Sequence, residues 1–226
     1  MISRGIVLSP AHDSHGKKDV TYAFRPEAHR FATLHDCTHV EIDNRGSMPA
    51  RRKRVVEAIR GARYDAYATP IVAIFCHGWR DGIQLGVRVR DVDELAAAIA
   101  EATASAATIV ALYCCDTAQG VERGADTSAG PGGDGGFADE LRDALCRAGV
   151  EWTVVDAHVT TGHTTRNPNL RRFGGEGSKT GGSGGGWIVR PRSRLWKPWA
   201  AALRRTDMRL RFPVLTVPEI HAELTA

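Results

Sequence analysis

The stretch PIVAIFCHG, residues 70–78, is the clearest guide to the fold of this chain. Its first seven residues form a nearly continuous apolar run, and His77 and Gly78 follow at once. A second run, TIVALY at 108–113, ends in a short polar group, CCDT at 114–117. Apolar runs of this kind are typical of central strands in a parallel sheet, which are covered on both faces. We therefore predict two buried strands that both end in reactive side chains.

Strand and helix patterns alternate on both sides of these two runs. Further strands are predicted at 5–8, 38–42, 151–157 and 187–189, a short hairpin strand at 83–87, and helices at 27–34, 50–62, 93–104, 137–148 and 198–205. Ser47 is the candidate N-cap of the second helix, and Asp91 or Asp93 that of the third. The alternation predicts a three-layer α/β fold: a mostly parallel central sheet of about six strands with helices on both faces.

The composition is that of a globular chain, which we expect to form a single domain over residues 1–226. Hydrophobic residues make up 42% and charged residues 25%, so wholesale disorder is excluded. No apolar run approaches the ~18 residues of a membrane span, so we expect no membrane partner. The five cysteines show no CxxC spacing, which favours a reducing compartment and a cytoplasmic protein.

Two segments depart from this average composition. Residues 174–186 are rich in glycine and are predicted to form a flexible loop. Residues 190–226 form a basic C-terminal segment, whose charges are most simply a solvated face but could contact an acidic partner. The net charge of +4 is mild, so we do not expect nucleic acid as a partner.

Chemistry is expected at the carboxyl ends of the strands, where open parallel sheets bind their ligands. His77 and Cys115 both follow such strands, so an imidazole and a thiol could meet there. In a pair of this kind the histidine takes the thiol proton and the thiolate attacks. The N–H groups of Gly78 and Cys115 could then stabilise an oxyanion. Cys76 and Cys114 alternate with their neighbours and are expected to point into the core.

Both segments resemble sequence blocks of the caspase-like cysteine peptidases. IVAIFCHGW (71–79) looks like their strand followed by His-Gly, and TIVALYCCDTAQG (108–120) looks like their strand followed by the nucleophilic Cys, as in CHAT-type peptidases and metacaspases. The helix FADELRDALCRAG and the strand EWTVVDA continue the likeness, which covers roughly residues 5–160. The resemblance implies a cysteine endopeptidase with Cys115 as nucleophile and His77 as base. It implies no cofactor or metal, a protein or peptide as substrate, and room for a regulatory partner protein.

Substrate recognition is expected to depart from the metacaspase pattern. In metacaspases an Asp two residues before the nucleophile reads a basic substrate side chain, but Tyr113 occupies that position here. Loops at 120–136 and 163–186 are expected to flank the cleft. Four polar residues near it are the candidate substrate contacts: Asp13, Asp116, Asp156 and His163.

Two other functions stay open from the sequence. Zinc amidases of peptidoglycan have a first strand that ends in a His and a Glu as second ligand, and His12, Glu27 and His77 could correspond to such ligands. A caspase-like module could also be catalytically silent and serve in binding. The HDCTH stretch at 35–39 could place metal ligands on one strand face, although a polar strand face is the simpler interpretation.

Overall fold

The structure is a computed structural model, and it describes residues 3–12, 24–121, 132–150, 152–162, 164–174 and 184–226. The strands are β1 (Gly5–Pro10), β2 (Cys37–Ile42), β3 (Ile71–Phe75), β4 (Gly78–Trp79), β5 (Gly82–Ile83), β6 (Val87–Arg88), β7 (Ile109–Tyr113), β8 (Val154–His158), β9 (Leu170–Gly174) and β10 (Gly186–Trp187). The helices are α1 (Arg25–Leu34), α2 (Met48–Gly61), α3 (Val92–Ala102), α4 (Phe137–Arg147), α5 (Trp196–Ala202), α6 (Thr206–Arg211) and α7 (Val217–Thr225).

Seven strands form the central sheet, in the order β10-β9-β8-β7-β3-β1-β2. Strands β1, β2, β3, β7 and β8 are mutually parallel, and β9 runs antiparallel to both β8 and β10. The carboxyl ends of the five parallel strands therefore share one edge, which we call the carboxyl edge. The short strands β4, β5 and β6 form a separate antiparallel sheet that begins directly after β3. The predicted mostly parallel α/β sheet is confirmed.

The sheet has helices on both faces, as predicted. One core cluster contains Ile74, Leu112 and Val155 of the sheet together with apolar residues of α2, α3 and α4. The second cluster contains Ala73 and Tyr113 of the sheet together with residues of α1, α5, α6 and α7. We call these two sides the α2–α4 face and the α1/α5 face. Side chains alternate between them along each strand because successive residues of a strand point to opposite sides.

Strand β9 was not predicted; it lies inside the expected loop at 163–186. Its sequence, LRRFG, has two adjacent arginines and lacks the apolar run that marks β3 and β7. Within it, Arg172 lies directly opposite Asp156 of β8 and binds its carboxylate. The last strand is at Gly186–Trp187, close to the predicted position. Much of the predicted Gly-rich loop lies outside the described residues.

The helix ends follow the capping rules in one case and not in another. Ser47 caps α2, since its hydroxyl accepts a hydrogen bond from the Ala50 N–H at 3.4 Å. Asp91 occupies the N-cap position of α3, as predicted, but its side chain does not bond to that helix: the carboxylate accepts from the Arg88 N–H and pairs with Arg52 at 2.7 Å. Within the described ranges, no helix combines the length and the apolar character needed to cross a membrane.

Candidate active site at the carboxyl edge

His77 and Cys115 occupy matching positions just beyond the ends of two neighbouring strands. Phe75 of β3 pairs with Tyr113 of β7, and each candidate residue lies two positions beyond its member of that pair. The two chain segments stay together past the strands, because a Cβ placed at Gly78 would lie 2.6 Å from the Cys115 carbonyl oxygen. The fold thus carries both residues to one point of the carboxyl edge.

The two preceding cysteines show which face each residue takes. Cys76 and Cys114 are both fully buried on the α2–α4 face, and their Sγ atoms lie 3.5 Å apart. This confirms the prediction that they belong to the core. The alternation of β3 and β7 then directs His77 and Cys115 to the α1/α5 face. The contact of the His77 ring with Phe24, which belongs to the cluster on that face, agrees with this direction.

The backbone at His77 is held by Gln84, which follows β5. The Gln84 N–H donates to the His77 carbonyl at 2.9 Å, and the His77 N–H donates to the Gln84 side-chain oxygen at 3.3 Å. The imidazole packs edge-on against Phe24, with ring centroids 4.9 Å apart, and the residue is exposed. An exposed ring on a fixed backbone can reach a substrate and exchange protons with it.

Gly78 is required by the close approach of the two strand ends. An added Cβ would lie 2.7 Å from the Cys114 Cβ and 2.9 Å from the Thr117 methyl group, so no larger residue fits. Because Gln84 and His77 share a backbone hydrogen bond, Gly78 and Ile83 form a non-hydrogen-bonded pair of β4 and β5. The Gly78 N–H is therefore directed away from β5.

Cys115 is half-buried, and its thiol donates to the carbonyl oxygen of Gly162 at 3.4 Å. Burial raises the pKa of this thiol above its ordinary value of 9.0. The Gly162 contact lowers the pKa and the neighbouring Asp116 carboxylate raises it again. The thiol is therefore protonated at neutral pH in this state.

The turn after Cys115 is tied to β8. Asp116 has a left-handed backbone (φ 59°), a conformation that Asp tolerates better than most residues. Its carboxylate accepts from the Gln119 amide at 3.0 Å, and the Ala118 N–H donates to the His158 carbonyl at 2.8 Å. The Thr117 hydroxyl closes the turn by donating to the Cys114 carbonyl at 2.9 Å. These bonds hold Cys115 at the start of a rigid turn.

Of the four candidate substrate contacts, the structure places one beside Cys115 and one in the core, and it does not describe the other two. Asp116 lies beside Cys115, whereas Asp13 and His163 lie outside the described residues. Asp156 is fully buried, and Arg172 binds both its carboxylate oxygens at 2.7 Å. Arg172 neutralises the charge of this carboxylate inside the sheet. Asp156 also lies two residues before the end of β8, so it is not available to a substrate at the carboxyl edge.

A buried histidine stands beside Asp156 on the same face. His158 is fully buried and its ring meets Tyr113 edge-on at 6.0 Å. Among the residues that the structure describes, neither of its ring nitrogens has a hydrogen-bond partner. Burial lowers its pKa from 6.5 to about 3, so the imidazole is neutral in the native protein. It lies within the core rather than in the loop that follows.

The sequence did not point to Gln84, Phe24 or Gly162 as parts of the site. Gln84 had a signal, since it is the polar residue within the apolar segment IQLGV at 83–87. Phe24 and Gly162 had none, because both act through contacts with residues far away in the chain.

The residues of the zinc alternative are engaged elsewhere. The His12 ring lies 3.6 Å from the Asp43 carboxylate, and Glu27 accepts hydrogen bonds from the Thr165 hydroxyl and N–H at 2.6 and 3.2 Å. In the HDCTH stretch, His35 bonds the Leu210 carbonyl and His39 bonds the Ser9 hydroxyl. The residues that the structure describes contain no group of three or more His, Cys, Asp or Glu side chains suited to hold a metal ion.

Comparison of the chain with models of protein families, with curated proteins and with solved structures finds no match. The case for a function therefore depends on the site itself and on the resemblance of its two segments.

Proposed function

We propose that this protein is a caspase-like cysteine endopeptidase in which Cys115 is the nucleophile and His77 is the general base. The observation that carries the proposal is the register of β3 and β7, since the two residues lie at matching positions just beyond the ends of these adjacent parallel strands. The resemblance of 71–79 and 108–120 to the corresponding caspase-like blocks supports the same assignment independently of the register.

The electrostatics of Cys115 favour a general-base mechanism over a thiolate that exists before substrate binds. Burial raises the thiol pKa, and the Asp116 carboxylate adds to that effect. A protonated thiol is a weak nucleophile, so it needs a base that removes its proton during attack. His77 is exposed at the same edge and supplies such a base.

The reaction then proceeds in two halves. The Cys115 proton passes to His77 while Sγ bonds to the scissile carbonyl carbon, and the carbonyl electrons move to its oxygen. The C–N bond breaks when the oxyanion collapses, and His77 gives its proton to the departing amine. Water then attacks the thioester, with His77 accepting the water proton, and the carboxylic acid leaves as Sγ regains a proton.

The oxyanion would be stabilised by backbone donors. The Gly78 N–H is directed away from β5, and a Cβ at Gly78 would lie 2.6 Å from the Cys115 carbonyl oxygen. The Cys115 N–H is the second candidate donor, at the start of the turn anchored to β8. One such donor is typically worth about 10²–10³ in kcat.

Two cysteine variants test the proposal. Wild-type protein, Cys115→Ala and Cys114→Ala are incubated with a peptide library, and cleavage is followed by mass spectrometry. We expect Cys115→Ala to lose all cleavage and Cys114→Ala to retain it. The circular dichroism spectrum and thermal midpoint show whether each variant is folded.

The neighbouring thiol makes a matched control, because each variant removes one sulfur and the two residues are adjacent in the sequence. If Cys114→Ala loses cleavage and Cys115→Ala retains it, the assignment of Cys115 as the nucleophile is wrong. A folded wild-type protein that cleaves no peptide in the library would contradict the peptidase proposal and favour a binding module.

A further inference from the structure

Four arginines lie on segments that reach the same edge of the sheet as the candidate site. Strand β10 runs towards the carboxyl edge, since Trp187 pairs with Arg171 and the Ile188 N–H donates to the Leu170 carbonyl. Residues 190–194, RPRSR, therefore emerge at that edge. The loop after β8 adds one more arginine there. We call this group the basic rim: Arg166, Arg190, Arg192 and Arg194.

The four side chains of the basic rim are exposed and carry positive charge. All four residues are exposed, and none of them forms an ion pair with any residue in the described part of the chain. The β8–β10 side of the carboxyl edge is thus a concentrated positive surface.

The distance from Cys115 fits a single extended peptide. Three strand spacings separate β7 from β10, which is roughly 14 Å at about 4.8 Å per strand. An extended chain rises about 3.3 Å per residue, so the three rim arginines that follow β10 lie roughly four residues from the scissile bond. Arginine also suits this task, since its guanidinium group binds carboxylates with two parallel hydrogen bonds.

We propose that the basic rim binds an acidic segment of the polypeptide substrate, about four residues from the bond that is cut. This inference rests on the proposed peptidase function for the identity of the ligand. Acidic polypeptide is favoured over nucleic acid because four cations are few for nucleic-acid binding, which commonly neutralises 6–10 phosphates.

The test measures binding separately from cleavage. The protein carries Cys115→Ala so that the probe stays intact. Two fluorescein-labelled peptides of twelve residues are compared by fluorescence anisotropy, one with four glutamates and the other with glutamines at the same positions. We expect the glutamate peptide to bind at least tenfold more tightly at low salt, and this difference to shrink as salt rises.

A matched pair of triple variants locates the binding. R190Q/R192Q/R194Q removes three charges of the rim, and K53Q/R60Q/R63Q removes three exposed charges on and just after α2, away from the carboxyl edge. We expect the first to weaken binding of the glutamate peptide about tenfold and the second to change it less than twofold. Equal weakening in both variants, or equal affinity for the two peptides, would overturn the proposal.

The remaining outcomes separate the rim from the peptidase. A twelve-nucleotide single-stranded DNA that binds the rim more tightly than the glutamate peptide would overturn the choice of polypeptide. If wild-type protein binds the glutamate peptide through the rim but hydrolyses no peptide, binding of acidic polypeptide by the rim is supported and the peptidase proposal is wrong. If it cleaves both peptides at equal rates and binds them equally, the peptidase stands and the rim proposal fails.

Discussion

The two faces of the central sheet differ most at the carboxyl ends of β3 and β7. On the α2–α4 face these ends carry Cys76 and Cys114, which are fully buried and pack against apolar helices. On the α1/α5 face the next residues are His77 and Cys115, which reach the surface of the molecule. Two adjacent cysteines after β7 thus differ in that one thiol is packed in the core and the other reaches the surface.

The same contrast extends to β8. Val155 and Ala157 face α2–α4 and are apolar, whereas Asp156 and His158 lie on the other face and are both ionisable and buried. The α1/α5 face therefore contains polar groups that cost stability together with the groups proposed to carry the chemistry. Substitutions on this face should have large and specific effects, and those on the α2–α4 face should affect stability alone.

The largest expected effect is on catalysis by His77. His77→Ala should lower kcat/KM by about 10²–10⁴-fold, because a general base contributes by that amount, while the thermal midpoint stays close to that of the wild type. Peptide hydrolysis and calorimetry measure the two quantities. His29→Ala, which removes an exposed histidine from α1, is the matched control and should hydrolyse at the wild-type rate. Equal rates for both variants would remove His77 from the mechanism.

The next effect concerns the ion pair between β8 and β9. Arg172→Met leaves the fully buried Asp156 carboxylate without its partner and should reduce the free energy of unfolding by about 3–5 kcal/mol. The double variant Asp156→Leu/Arg172→Met should recover most of that loss, since it removes both charges. Urea denaturation of the two variants checks this. A loss below about 1 kcal/mol in the single variant would show that Asp156 is not held as described.

A smaller effect is the acid sensitivity due to His158. Its pKa is about 3 in the folded protein and 6.5 when solvated, so the unfolded state binds the proton first as the pH falls. The stability contribution is complete above pH 6.5 and declines below it, by about 2 kcal/mol at pH 5. His158→Phe should lose about 2 kcal/mol less between pH 7 and pH 5 than the wild type does. The same pH dependence in both proteins would mean that His158 already has a proton acceptor or donor in the fold.

The smallest effect belongs to the α2–α4 face. Cys114→Ala should reduce the free energy of unfolding by about 1 kcal/mol, because it removes a buried sulfur that contacts Cys76. Activity should not change. A loss of activity with unchanged stability would contradict the expectation that substitutions on the α2–α4 face affect stability alone.

The sequence was sufficient for the central strands and for the face that each cysteine takes. The runs 70–76 and 108–113 are apolar on both faces, and alternation alone separates Cys114 from Cys115. Strand β9 could not be predicted, because two adjacent arginines are not typical of a buried strand. Only the structure shows that Asp156 lies opposite Arg172 and pairs with it. For the same reason Asp156 resembled a free carboxylate in the sequence. Such pairings join distant residues and leave no local pattern.

The most direct test is to find which atom carries the acyl group during turnover. Peptide hydrolysis by the Cys114→Ala variant is quenched with acid, and the digested protein is mapped by mass spectrometry, so that the adjacent thiol cannot confuse the assignment. The account predicts an acyl group on Cys115 that is absent when His77→Ala is added. An acyl group on any other residue, or hydrolysis that continues in Cys115→Ala, would contradict it.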